Sequence, residues 1–301
     1  MAITNSTTMS ELTIAMKGHA MFGLLESSLM APGAPLHNLM RTYILPKGQV
    51  SYQWNVGSAF SIRSVAEGVD HTESQAWNPT GASATATEYV VMSTVTDYGA
   101  QAVIDNVDSD IGREMGRAMG NKWDSVVFAL NASLDGLTPA GTTNTDLTRD
   151  ALNLAMNTLR VGNVPGPFTG VFHPLAWNDL VSEDTTYYTT STTGGVGSLA
   201  EHIVTNYFPV DSGIAGLQKM FLTTNIPTGT SANDYSNVIF SGEPCYGAVL
   251  QQDPLGGGIW NNRVEEERDA SLRGYEIVMT SSFGVAEIRD ASALEVYSQS
   301  S

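Results

Sequence analysis

At 301 residues the chain is long enough to bury a sizeable core, as one large domain or two modest ones. Its 14 basic and 31 acidic side chains leave a formal charge of −17, and the basic residues form no run interleaved with aromatics, which argues against direct nucleic-acid recognition. A lone cysteine, Cys245, excludes an internal disulfide and fits folding in a reducing compartment, while Glu11, Lys17, His19 and Glu26 break up any signal or membrane-spanning run in the first thirty residues.

Residues 9–30 are expected to form an amphipathic helix, with Ser10 at its N-cap, Leu12, Met16, Leu24 and Leu25 apolar, and Pro32, Gly33 and Pro35 ending it. A stripe bounded by such a break suits a detachable arm covered by a neighbouring subunit. From 40 to 88 the composition turns polar and small. A short strand Thr42 to Leu45 is closed by Pro46, Lys47 and Gly48, then Val50, Tyr52, Trp54 and Val56 alternate, and Trp77 to Gly81 make a turn-rich exit. The pattern predicts a long two-stranded hairpin, too slight to stand alone and suited to lying on an adjacent chain.

Residues 88–99 alternate as a strand leading into the longest helix, about 109–133, where Ile111, Met115, Met119, Trp123, Val126, Val127 and Leu130 fall near one face. On that helix Gly112, Gly116 and Gly120 recur every fourth residue, each weakening it by about 1 kcal/mol relative to alanine. A strip for close backbone packing accounts for them better than three tolerated glycines. Arg113, Glu114, Arg117, Lys122 and Asp124 exclude a membrane helix.

After a Gly/Thr/Asn loop at 136–145, Asp146 is expected to cap a second helix running to Arg160, followed by a buried strand Phe168 to His173 and a helix opened by Pro174. A loop at 183–198, a helix at 199–207 and short strands Phe221 to Asn225 and Val238 to Phe240 come next. Tyr275 to Met279 and Phe283 to Ile288 are read as strands of an antiparallel sheet. The chain reads as α+β throughout.

No chemistry declares itself. His19, His37, His71, His173 and His202 are far apart, with no HExxH and no cysteine partner. Gly194, Gly195 and Gly197 lack the strand and Lys-Ser/Thr of a phosphate loop, Gly256 to Gly258 reads as a turn, and Ser198 and Ser241 lack the glycines of a nucleophile elbow. Glu265, Glu266 and Glu267 stand beside Arg263, Arg268 and Arg273, so charge pairing, within the chain or with another subunit, is a simpler account than a cation site. No catalytic residue, cofactor site or metal ligand is expected.

The order of helical arm, long hairpin, strand into long helix, αβα module and closing sheet resembles the major capsid proteins of tailed bacteriophages, the Hong Kong 97-type fold. The segment EYVVMSTVTDYGAQAVIDNVDSDI resembles that family's strand leading to its spine helix, LTRDALNLAMNTLRVGNVPGP with VFHPLAWNDL its axial domain, and FSGEPCYGAV the strand returning to its peripheral domain. The resemblance implies an N-terminal arm at 1–39, an extended hairpin loop at 40–88, a peripheral domain with spine helix at 89–145 and 241–301, and an α/β axial domain at 146–240. It further implies a non-enzymatic, self-assembling subunit of hexamers and pentamers in an icosahedral virion head, built in the host cytoplasm around double-stranded DNA. Scaffold, portal and cement proteins are its implied partners, and no membrane is involved. No charged coiled coil precedes the arm to act as a fused scaffold, and the sparse lysines point to no covalent cross-links. Expected subunit-interface residues are Lys47, Trp54, Arg63, Trp77, Glu265, Glu266 and Arg268, and expected close helix packing involves Gly112, Gly116 and Gly120. The rival readings are an encapsulin-like compartment shell and a soluble acidic hydrolase with convergent polar groups in a pocket.

Overall fold

The computed structural model describes residues 9–57, 60–62, 64–68, 74–76, 79–102, 107–180, 217–229, 234–252, 262–271 and 273–299. Arg63, His71, Trp77, His202, the loop expected at 183–198, the helix expected at 199–207 and the glycines at 194–197 and 256–258 lie outside them.

In chain order the elements are α1 (Met9–Ser27), β1 (Met40–Leu45), β2 (Ser51–Val56), β3 (Thr80–Thr85), β4 (Thr87–Thr96), α2 (Asp97–Ala102), α3 (Val107–Phe128), α4 (Arg149–Val161), β5 (Phe168–Phe172), β6 (Leu217–Leu222), β7 (Asp234–Phe240), β8 (Tyr246–Gln251), β9 (Asn262–Asp269), β10 (Gly274–Glu287) and β11 (Ala293–Gln299). A further helix covers 174–180.

The first sheet is organised by β10. One edge of β10 pairs antiparallel with β4; the other pairs with β9 over its first half and β8 over its second, and β1 closes the sheet beyond β8. Side chains alternate across it: Tyr89, Val91, Val95, Ile277, Met279 and Phe283 turn inward, and Val90 and Met92 turn outward. The inner face packs against α3, where the Trp123 ring stacks on Phe283 with centroids 3.7 Å apart.

The second sheet, in the order β11-β7-β5-β6, is covered on both sides. Phe168, Phe172 and Ile239 meet Leu152, Met156 and Leu159 of α4, whereas Val171, Val238 and Phe240 join the core under the first sheet. This double burial explains why β5 reads as a continuous apolar run. Apolar residues at 3.6-residue spacing set the face of α4, and its start is fixed by Thr148, whose Oγ1 accepts from Ala151 N at 3.2 Å; Asp146 is not the cap.

Several expectations are corrected. β1 is no limb of the hairpin: it pairs parallel with β8 from Met40↔Tyr246 to Leu45↔Gln251, burying Met40 and Leu45, and the hairpin is β2 with β3 alone. The two closing strands are one, because the small polar stretch Thr280 to Ser282 continues the ladder and Ser281 is buried. The charged run at 262–269 is itself a strand. β11 joins the second sheet, so the segment 241–301 divides between the sheets. Both sheets are mixed rather than purely antiparallel, since β5 also pairs parallel with β6.

The largest correction concerns α1, which covers its own subunit. Ala20, Leu24 and Ser28 lie beside Gly116, Gly120 and Asp124, and Gly23 and Ser27 lie beside Arg113 and Arg117, so α1 and α3 run parallel in two rows of four-residue steps. A Cβ on Gly116 would collide with the Ala20 carbonyl, one on Gly120 would stand 2.8 Å from Leu24 O, and one on Gly23 would collide with the Arg113 carbonyl. Gly112 is buried on the same helix. The close approach is possible only without side chains at Gly23, Gly116 and Gly120.

Two substitutions of the same kind are expected to act with opposite sign. Gly116→Ala gains helix propensity yet forces α1 off α3, lowering stability by about 1–3 kcal/mol. Gly18→Ala, whose Cβ meets nothing within 4 Å, raises it by about 0.5–1 kcal/mol. Urea unfolding midpoints of the two variants check this.

Candidate assembly surfaces

The arm is anchored where α1 ends. Asp124, buried on the glycine row of α3, accepts from Ser28 Oγ at 2.6 Å, from Leu29 N at 3.1 and 3.0 Å on its two oxygens and from Met30 N at 3.0 Å. Asn225 Nδ2, beyond β6, donates to the same carboxylate at 3.4 Å. Burial pushes the pKa of Asp124 upward, and these hydrogen bonds oppose the push. At the solvent edge of the helix pair, Glu26 accepts from Arg113 and Arg117, and Arg117 also pairs with Glu114. Hydrogen bonding from Arg113 holds the Glu26 carboxyl below its usual range, with Arg117 adding to the effect.

The hairpin is fixed at its base and open beyond it. Trp54, expected at a subunit interface, is instead 2% exposed, packed with Leu45, Ala84 and Val249 of its own chain. Tyr52 extends the contact, stacking on Tyr43 at 3.7 Å and meeting Trp54 edge-on at 5.2 Å. Lys47 is exposed in the turn after β1, where Gly48 has φ +90°. Past β2 the apolar side chains emerge: Phe60 and Val65 are exposed and Ile62 is 100% exposed.

On β9 the charges find partners within the subunit. Arg263 pairs with Glu265; Arg268 reaches Asp97 at 3.0 Å, donates to Tyr275 OH at 2.7 Å and lies 4.9 Å from that ring. Glu265 and Arg268 are therefore engaged internally rather than held free for a neighbour, although exposed pairs of this kind contribute only about 0–1 kcal/mol. Glu266 is half-buried on the inward side of the strand. The outer face of the same sheet carries Val90 and Met92, 58% and 54% exposed, with Val278 between Met92 and Glu265 in register.

The remaining polar side chains tie elements together. Asn131 donates to Ser236 O at 2.7 Å and accepts from Tyr246 OH at 2.8 Å. Asn237 donates to Ser298 Oγ at 2.7 Å and accepts from His173 N at 2.8 Å. His173 stacks on Tyr235 at 3.6 Å, and its Nδ1 accepts from Leu175 N at 3.3 Å, capping the 174–180 helix. Burial lowers the His173 pKa and raises that of Cys245 well above the usual thiol range. Among the described residues no group of three or more His, Cys, Asp or Glu could hold a metal, and no helix is long and apolar enough to cross a membrane. Sequence reasoning missed Asp124, Asn131 and Asn237. Only Asp124 carried a signal, as a carboxylate four residues beyond Gly120 on the glycine row.

Comparison with known structures places the fold. A capsid chain of Cyanophage P-SCSP1u matches with a TM-score of 0.65 at 17% identity over 88% of each chain. A chain of Mycobacterium phage Che8 matches with 0.61 at 17% identity, covering 82% of this chain and 84% of its own. The encapsulin of the holo-SrpI complex from Synechococcus elongatus gives 0.52 at 16% identity, covering 87% and 86%. No curated protein sequence matches. The architecture is that of tailed-phage capsid proteins, a class of structural shell subunits. The sequence model of the phage capsid protein family matches residues 84–294, more than half of the chain, and the chain belongs to that family as a major capsid protein of the virion.

Removing the Asp124 acceptor leaves Leu29 N and the Ser28 hydroxyl without the carboxylate they donate to, and leaves Met30 N only its 3.2 Å bond to Ser28 Oγ. Asp124→Ala is expected to lower stability by about 2–4 kcal/mol and to speed hydrogen exchange at Leu29 and Met30. Thermal unfolding together with amide exchange checks both.

Proposed function

We propose that this capsid protein closes into the hexamers and pentamers of an icosahedral head around double-stranded DNA. It does so without enzymatic activity or cofactor, and assembly takes place in the host cytoplasm. The observation that carries the reading is the hairpin: β2 and β3 form a separate two-stranded sheet whose base is bound to β8 through Trp54, while Phe60, Ile62 and Val65 beyond it are exposed. A ribbon of two strands needs another surface, and a second copy of the chain supplies one. Lys47, Arg63 and Trp77 are assigned to that contact. Glu266 is assigned to a second contact, along β9.

The domain division follows the same reading. The arm takes 1–39 and the hairpin loop 40–88, with β1 lending itself to the peripheral sheet; the peripheral domain takes 89–145 and the chain from 241 to about 290; the axial domain takes 146–240 with β11. Heterologous, ring-closing contacts around the axial domain then build each capsomer. The charge of −17 suits a wall that does not hold the packaged duplex. Scaffold, portal and cement proteins are the further partners assigned to such a head. The likeness to an encapsulin supports a second reading, a compartment enclosing protein cargo.

Expression of the full chain, alone and with a co-expressed phage scaffold protein, and electron microscopy of the product test the proposal. Closed megadalton shells are expected; discrete monomers under both conditions would overturn it. Nucleic acid inside particles recovered from infected cells separates a phage head from a cargo compartment. In the same assay Ile62→Asp is expected to abolish shells while leaving the melting temperature of the subunit within about 2 °C of the parent.

A further inference from the structure

The outer face of the first sheet is covered at one end only. Over β8 and the end of β10 lies the base of the hairpin: a Cβ on Gly247 would stand 2.8 Å from the Trp54 ring, and one on Gly284 would collide with the Thr85 carbonyl. Toward the start of β10 the same face presents Val90 and Met92, both more than half exposed, and the half-buried Val278. Register sets the order of side chains across three strands. Met92, Val278 and Glu265 form one row; Thr94, Glu276 and Glu267 form the next, and Val90, Thr280 and Arg263 the row on the other side. The face is thus apolar along β4 and acidic along β9. Its one basic side chain in these rows, Arg263, is taken by Glu265. Glu267 and Glu276 stand directly opposite each other, and among the described residues neither has an ion-pair partner. Such a like-charge pairing weakens a sheet.

We propose that this face docks a cationic amphipathic helix of a different protein, with its apolar stripe on Val90, Met92 and Val278 and its lysines or arginines along Glu267 and Glu276.

Shape and charge both select this occupant. Neighbouring strands lie about 4.8 Å apart, so β4 and β9 stand about 10 Å apart across β10, the width of one α-helix. The rows from Glu88 to Thr94 extend about 20 Å, which a helix of about 14 residues spans. Nucleic acid and anionic lipid carry the same sign as the face and are repelled. A second copy is repelled as well, since the chain carries a charge of −17 and its basic residues form no run that could lie along these carboxylates. A cationic helix instead relieves the Glu267 and Glu276 repulsion while it takes Val90 and Met92 out of water. The inference concerns the surface of the single subunit and does not rest on the proposed shell.

The test uses the full-length, unassembled subunit, so its outcome does not depend on whether shells form. The probe is a labelled helical peptide of about 18 residues with a leucine stripe flanked by lysines, compared by fluorescence anisotropy with a scrambled peptide of the same composition. The striped peptide is expected to bind about tenfold more tightly than the scrambled one. Met92→Ser, and separately Glu267→Gln with Glu276→Gln, are each expected to weaken it by about tenfold. The double variant removes a repulsion and is expected to melt no lower than the parent, so its weaker binding is not a loss of fold. Leu154→Ser, at an exposed position of α4, is expected to leave binding unchanged. Equal affinity for the scrambled peptide, no binding of either peptide, or affinity unchanged in the double variant would overturn the proposal. So would self-association of the parent in sedimentation that Met92→Ser abolishes, because the face would then belong to a second copy.

Discussion

Carbonyl-to-glycine contact between α1 and α3 fixes the frame on which the other elements are placed. Parallel helices cannot be joined by a short turn, so the contact obliges the chain to leave α1, make β1, the hairpin and β4, and return to the starting end of α3. Everything between residues 28 and 106 is thus a loop closed by that helix pair. The entropy of closing so long a loop grows only slowly with its length, and one well-packed interface can hold it. Glycine brings the backbones together, and Asp124 stops the sliding that so smooth a contact would otherwise permit, because its hydrogen bonds to residues 28–30 are satisfied in one register.

From that frame the two sheets take different characters. The first is covered on one face by α3 with α1 alongside, and its opposite face keeps Val90 and Met92 toward solvent. The second is enclosed on both faces and carries the buried polar ties through Asn131 and Asn237. A sheet closed on both sides tolerates little movement, whereas a sheet open on one side can accept another chain. The division of labour expected of a shell subunit, one rigid unit and one contact-bearing unit, therefore follows from which faces the helices reach.

Local patterns were legible and distant partners were not. The apolar spacing of α4, the strand at 168–172 and the alternation of β4 depend on neighbours a few residues away, and each stands within a few residues of where the sequence puts it. The sequence pattern puts β1 in the hairpin because its true partner, β8, lies some two hundred residues on, and a parallel pairing leaves no turn to announce it. The sequence pattern splits β10 because Thr280 to Ser282 resemble a loop, although Ser281 is buried beside the core. The glycines of α3 declared a close contact without declaring with what; a repeat of small residues encodes the shape of a surface and says nothing of its occupant.

The same reasoning decides where specificity in assembly comes from. Glu265 and Arg268 were natural candidates for contacts between subunits, yet Arg263, Asp97 and Tyr275 already hold them. Breaking such a pair to remake it across an interface exchanges one exposed ion pair for another, which changes the free energy little. The exposed apolar residues beyond β2 have no internal bond to exchange. Covering Phe60 and Ile62, 61% and 100% exposed, would remove apolar surface from water at about 25 cal/mol per Å². In the proposed assembly, affinity would therefore reside in the hairpin, and the charged strand would contribute mainly the exclusion of wrong alignments.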